Sequence, residues 1–404
     1  MAVFALCEPG CNRAYADGCV QMFAWVGQRL GLQAVPAPSG LSRARSQVTE
    51  SDLGRIWSMA TAWTAAHPAS VERLVPGRAL IGIDGTTLIM PRSASLSAAY
   101  GIRRDRAGRE ISHYPEALMT SCWDLDTRMS VAWRMQSVLA KGGERAMAAA
   151  MLGELPERSI VVMDAGFPSR HMLGDIAAHG HDLVMRMVAA DGGSWPEVQQ
   201  FLASGAASAW IDTVVEHDGT RHTVALRYLK RSFARGRPQR GQTRKPMVVV
   251  TSLPDEVLTD DQVLGIYRQR WTIEAIHDEL KNLSDLETWH SATKQGVEQE
   301  VLCHMVWHLL AGHISSHLEA ERRALNPGRA VRACTPRVMR AVAEIADWLL
   351  ESVGKPEAVQ DYLRGRAQHS LDAARKGLVM RRKRTSRPRI AFHPYAKPRR
   401  NHGK

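Results

Sequence analysis

The sequence predicts an α/β fold: a sheet of mixed strand direction flanked by helices, interrupted by a β-rich insertion and bounded by helical regions at both ends. Three observations carry this prediction. Short apolar runs of strand length (Ala79 to Asp84, Ala117 to Trp123, Met129 to Met135, Ser159 to Asp164, Leu183 to Val188) alternate with stretches of helical period. The second and third runs flank only a polar turn, Asp124 to Arg128, whereas helical stretches separate the later ones, so strand directions are mixed. From Asp260 onward the apolar period is helical again.

Residues 1–75 read as a helical region. Val20 to Leu32 and Ser51 to Ala66 carry apolar residues three and four apart, with Glu50 or Ser51 near a helix start, and Val35 to Ser46, with Pro36 and Pro38, reads as loop. Residues 76–188 form the first part of the core, where Arg145 to Leu155 and Ser169 to His179 are the helices and Gly180 is a stop. Residues 189–253 are the β-rich insertion. In it Trp210 to Glu216 and His222 to Leu229 surround Asp218-Gly219, a strong hairpin signal, and Met247 to Thr251 is a further strand. Residues 254–325 are the second part of the core, 326–374 a C-terminal helical region, and 375–404 a basic tail.

The 53 Lys and Arg exceed the 41 Asp and Glu, and the excess has one location. From Arg375 to Lys404 there are 12 basic residues and no acid, leaving 41 charges of each sign in residues 1–374. With Pro388, Pro394 and Pro398 and few apolar residues, the tail reads as a disordered segment giving salt-dependent, sequence-independent attraction to nucleic acid. The apolar stretch Val301 to Ile314 falls short of the roughly 20 residues of a membrane span and is broken by His304, His308 and His313, so no membrane partner is expected. Met1 to Cys7 lacks the positive flank of a secretory signal, and cytoplasmic, nucleoid-associated residence is expected. Six cysteines in a chain this long read as free thiols, including the clustered Cys7, Cys11 and Cys19. No phosphate-loop motif is present, so no nucleotide cofactor is expected.

Asp84 and Asp164 each close an apolar run and precede small, turn-prone residues, Gly85-Thr86-Thr87 and Ala165-Gly166. Taken singly, each reads as a turn residue or helix cap. Together on neighbouring strands, at the carboxyl ends where open sheets collect their functional groups, they would hold like charges close unless a proton or a cation such as Mg2+ or Mn2+ lay between them. The segment Tyr267 to Lys281 adds a third carboxylate. At about 100° per residue, Tyr267, Arg270, Glu274 and Lys281 fall within about 60° of one another, and Ile266, Ile273, Ile276, Leu280 and Leu283 fall on the opposite side. Periodicity alone allows a solvated charged face.

The spacing Tyr267-x2-Arg270-x3-Glu274-x6-Lys281 resembles, at all its positions, the YREK signature of the insertion-sequence-4 family of DDE transposases, including Arg270-Trp271 and Ile273-Glu274. Asp84-Gly85-Thr86 is similar to that family's first carboxylate motif and Asp164-Ala165-Gly166-Phe167 to its second, which often carries Arg where this chain has Ala165. The resemblance runs from about Leu80 to Leu310. It implies an RNase H-like core in which Asp84, Asp164 and Glu274 are catalytic and bind two Mg2+ (or Mn2+) ions for phosphoryl transfer on DNA. The implied partners are double-stranded DNA, as the terminal inverted repeats of a mobile element and its target, and a second copy of the chain in a homodimer on DNA. It implies cut-and-paste movement, with a hairpin intermediate in similar transposases, and Tyr267, Arg270 and Lys281 as phosphate-holding groups.

The implied β-strand insertion accounts for the 110 residues between Asp164 and Glu274. Between Asp218 and Asp255 it carries Arg221, Arg227, Lys230, Arg231, Arg235, Arg237, Arg240, Arg244 and Lys245 with no acid, and reads as a DNA-backbone surface. Trp210 is a weak candidate for stacking on a flipped base, a core strand Trp being the competing identity. His304, His308, His313 and His317 have the spacing of helical metal ligands, but the apolar setting and the absence of a following Glu favour a packed or interface helix. A catalytically silent DNA-binding derivative and an RNase H-like DNA nuclease are the competing functions. Three metal-binding carboxylates are more than pure binding demands.

Overall fold

The computed structural model describes residues 6–7, 14–27, 31–68, 71–189, 195–231, 246–325 and 338. The basic tail, the C-terminal helical region except Val338, and Arg235, Arg237, Arg240, Arg244 and Lys245 lie outside the described residues.

Among the described residues eight strands form one sheet, ordered β3-β2-β1-β4-β5-β8-β7-β6. They are β1 (Leu80–Ile89), β2 (Glu116–Asp124), β3 (Ser130–Ser137), β4 (Ile160–Met163), β5 (Asp182–Met187), β6 (Ser208–His217), β7 (Thr220–Arg231) and β8 (Met247–Thr251). β1, β4 and β5 are parallel neighbours, and every other pairing is antiparallel. The block β3-β2-β1-β4-β5, with β2 running against the rest, is the RNase H-like arrangement.

The strands of residues 189–253 extend this sheet: β8 pairs with β5, and the β6–β7 hairpin continues outward. Its turn is Asp218-Gly219, both at positive φ (47° and 73°), the geometry a two-residue hairpin needs. Arg227 belongs to this segment yet is not part of a DNA-facing surface. It is buried, pairs with Asp255 and donates to the Leu258 carbonyl at 2.6 Å. Trp210 is 46% exposed on β6, so it is not the core residue its strand position suggests.

The helices are α1 (Tyr15–Met22), α2 (Pro38–Arg45), α3 (Glu50–Ala66), α4 (Ala94–Tyr100), α5 (Gly143–Met151), α6 (Arg170–Ala178), α7 (Pro196–Ala203), α8 (Asp260–Gln269), α9 (Trp271–Asn282) and α10 (Lys294–Leu325). A π-helical turn, Phe23–Gly27, follows α1. The expected loop at Val35 to Ser46 is instead largely α2. Pro38 sits in its first turn, where a missing N–H costs nothing, so proline starts the helix rather than breaking it. Arg45 then ties α2 to α10 through a buried ion pair with Glu300 at 2.6 Å. α3 begins at a capping box in which the Thr49 side chain accepts from the Asp52 amide at 3.2 Å and Asp52 accepts in return from the Thr49 amide at 2.9 Å.

Strand alternation sends apolar side chains to both faces. Leu80, Leu88, Val162 and Val184 pack with Ile266, Ile273, Ile276 and Leu280 of α8 and α9 and with Val301 and Met305 of α10. Ile81, Ile83, Met163 and Met185 pack with Ala148 and Met151 of α5, Leu173 and Ile176 of α6, and Phe201 of α7. His304, His308 and His313 are buried along α10. His308 lies within hydrogen-bonding distance of Ser284 Oγ (2.9 Å), and burial pushes its pKa down to about 3.

Candidate active site

Asp84 does not end its strand. β1 continues through Gly85-Thr86-Thr87-Leu88-Ile89 because these residues, mostly β-branched or apolar, pair with β2 as far as Ile89 opposite Glu116. The carboxylate therefore sits mid-strand, on the face that also carries Leu80 and Leu88 and that α9 covers. The neighbouring strand β4 does end, at Met163, and Asp164 follows at once. The parallel register pairs Gly82 with Val162, so two residues further on Asp84 lies beside Asp164. The Asp164 Oδ1 atom accepts from the Gly166 amide at 2.7 Å, and Asp84 Oδ1 from the Gly85 amide at 2.9 Å.

Glu274 reaches the same place because α9 lies unusually close to β1. A methyl at Gly82 would overlap Ile273 Cδ1 and come within 2.8 Å of Leu125, so glycine is what admits Ile273 against the strand. A second lock fixes the rotation of α9. The Ser121 hydroxyl, directly opposite Asp84 in the β1–β2 pairing, accepts from the Trp123 indole at 2.8 Å and is hydrogen-bonded to His277 Nε2 at 3.0 Å. Burial lowers the His277 pKa to about 4, which keeps the ring uncharged at neutral pH.

The expected single helix from Tyr267 to Lys281 is divided at Arg270 into α8 and α9, although Arg270 itself keeps helical angles (φ −49°, ψ −36°). Its stripe is not a solvated face. Tyr267 is buried, its hydroxyl flanked by Arg270 and Arg186, and Arg270 is 7% exposed. Arg270 Nη1 donates to Asp84 Oδ2 at 3.3 Å and Nη2 to Glu274 Oε1 at 2.6 Å. Lys281 donates to the Thr87 carbonyl at 2.7 Å and lies 3.9 Å from Glu287, which itself accepts from the Ile89 amide at 2.9 Å. It thus fastens the end of β1 to α9, away from the carboxylates. Beside Arg270, Trp271 is 63% exposed, with its ring centroid 5.2 Å from the guanidinium carbon.

Negative charge exceeds its compensation here. Burial, then the charges of Asp164 and Glu144, push the Asp84 pKa up to about 6 against the pull of the Gly85 amide and Arg270. Burial and Asp164 raise Glu144 as well. Nothing in the sequence marks Glu144, at the start of α5, because an acid in a first turn ordinarily answers the helix dipole. Nor does sequence mark His277, whose partner Ser121 lies 156 positions away.

The donor set is all oxygen, which suits Mg2+ or Mn2+. Asp84 and Asp164, close and under-neutralised, fit a shared cation. Glu274 is engaged by Arg270, and among the described residues no three such side chains converge tightly enough to cage an ion without rearrangement.

Residues 76–310, well over half of the chain, match the family described as the transposase DDE domain. Among solved structures, a similarity is found to the cryo-EM structure of the piggyBac transposase synaptic complex with hairpin DNA, at 12% identity and a TM-score of 0.42, covering 91% of this chain and 74% of that one. No curated protein matches the sequence. Asp84, Asp164 and Glu274 all lie inside the matched region, and the chain belongs to the transposase DDE domain family.

Proposed function

We propose that this chain is a DNA transposase of the insertion-sequence-4 kind, cutting and rejoining DNA at the ends of a mobile element by cut-and-paste, with Asp84, Asp164 and Glu274 as its catalytic carboxylates. The observation that carries the reading is the Arg270 bridge: one guanidinium links Asp84 to Glu274 beside Asp164, uniting residues 190 positions apart. Two divalent ions held by these carboxylates would supply neutralisation and polarisation of the attacking and leaving oxygens in an in-line phosphoryl displacement.

The chain's own groups then have distinct tasks. Arg270, with its planar fork, exchanges carboxylate for a DNA phosphate. Tyr267 is held by burial to orient Arg270, and Lys281 keeps β1 and α9 in register. Arg235, Arg237, Arg240, Arg244 and Lys245 contribute attraction to the DNA backbone. Terminal inverted repeats and target DNA are the substrates, and a homodimer on DNA would bring two ends together.

The test is cleavage and joining of element-end DNA by the full chain carrying D84N, D164N or E274Q. All three should lose cleavage and joining while retaining DNA binding. Retained cleavage in all three would overturn the assignment, and cutting without end-specific joining in the wild type would make the protein a nuclease.

A further inference from the structure

We propose that Glu144 is a fourth carboxylate of the candidate metal centre, holding the cation through a bound water from the side of the sheet opposite Glu274. The inference rests on the metal-dependent reading above and on three placements. First, a methyl at Gly85 would lie 2.5 Å from both the carboxyl carbon and Oε1 of Glu144, so the space a side chain would fill next to Asp84 is taken by the Glu144 carboxylate. Second, the start of α5 is fixed from two sides, by the turn after β4 and by β3. Arg145 Nε donates to the Gly166 carbonyl at 2.7 Å, in the turn that holds Asp164, and Gln136 of β3 donates to the Gly143 carbonyl at 3.2 Å. Third, the sheet is open here: β4 stops at Met163, and the β1–β4 pairing reaches only to Gly82 and Val162. Past that point no strand separates the α5 layer from the α9 layer along this edge of β1, so a carboxylate from each layer approaches Asp84 and Asp164.

The chain has placed a carboxylate where like charge is unfavourable, without giving it an ion pair among the described residues. A cation shared with Asp84 and Asp164 accounts for that expense. Mg2+ and Mn2+ retain several waters when bound, so a carboxylate that stops short of the ion still holds it through one of them. Groups in this position typically affect metal affinity by about 10- to 100-fold.

The experiment measures Mn2+ binding to the full chain, without DNA, by the electron paramagnetic resonance signal of the free ion, for wild type, D84N, E144Q and G85A. E144Q removes the charge with little change of shape, whereas G85A keeps the charge and displaces it. The expected result is binding by the wild type, loss in D84N, and at least tenfold weaker binding in E144Q and G85A. Metal-free urea unfolding should leave E144Q at least as stable as wild type, because its charge is unfavourably placed without the ion, which separates an effect on the ion from damage to the fold. Wild-type affinity in E144Q, with D84N impaired, would overturn the role of Glu144 and leave the metal reading intact. Equal affinities in wild type and D84N would overturn the metal reading, and this inference with it.

Discussion

Replacing Asp84 by Asn should abolish DNA cleavage and, at the same time, stabilise the metal-free protein. The Asp84 pKa rises from 3.8 to about 6 in the folded chain, with burial as the largest cause. Between those values the folded state holds a proton that the unfolded state has released, so stability falls as pH rises and the full cost is reached above pH 6. Roughly two units correspond to about 3 kcal/mol. That figure already contains the opposing attraction of Arg270, 3.3 Å from Asp84, and part of it is returned in the mutant because the asparagine amide must itself leave water. The net expectation is a gain of about 2 kcal/mol for D84N at pH 8, shrinking toward zero near pH 4. Urea unfolding of both proteins in chelator, with midpoints compared at equal slope, measures it. Excess Mg2+ should then stabilise the wild type and leave D84N unchanged. A D84N protein less stable than wild type at pH 8, or a difference independent of pH, would refute the reasoning that this carboxylate is buried against its own charge.

Substituting Gly82 by Ala should cost about 1–3 kcal/mol by overpacking against Ile273, and should impair cleavage more than DNA binding because α9 carries Glu274; I273V in the same chain should restore part of both. His277, His304 and His313 are lowered to about 4 and His308 to about 3, mainly by burial, so the stability they contribute is present above pH 6.5 and lost as pH falls through that range. Acid unfolding should therefore begin below pH 6, and phenylalanine at His308 should shift its midpoint to lower pH. Deleting residues 375–404 should weaken DNA binding and flatten its salt dependence while metal-dependent cleavage at saturating DNA persists; loss of that cleavage would contradict the division between tail and core.

The strands and most helices of the core are legible because their periods differ. The short apolar runs of β1, β4 and β5 suit strands buried on both faces, whereas the helical spacing of Ile266, Ile273, Ile276 and Leu280 demands one buried face. The short helices were harder to read. α2 begins with a proline that looks like a loop signal, and α4 is only seven residues long. β1 runs past the end that Asp84 and Gly85, as turn-prone residues, suggest, because pairing with β2 carries them through the sheet.

For the site, sequence spacing alone determined which residues to suspect: Asp84 and Asp164 after apolar runs, and Tyr267, Arg270, Glu274 and Lys281 on one stripe. Spacing along a chain reports which groups share a helix face, and it is silent about what that face meets. Only the tertiary structure decided that Tyr267 and Arg270 are buried, that Lys281 clamps a strand, and that Arg270 joins Asp84 to Glu274. It alone brought Glu144 to Gly85 and His277 to Ser121. The physical reason is that charge and hydrogen bonding act over a few ångströms of space, and the contacts that set them here join residues dozens to hundreds of positions apart.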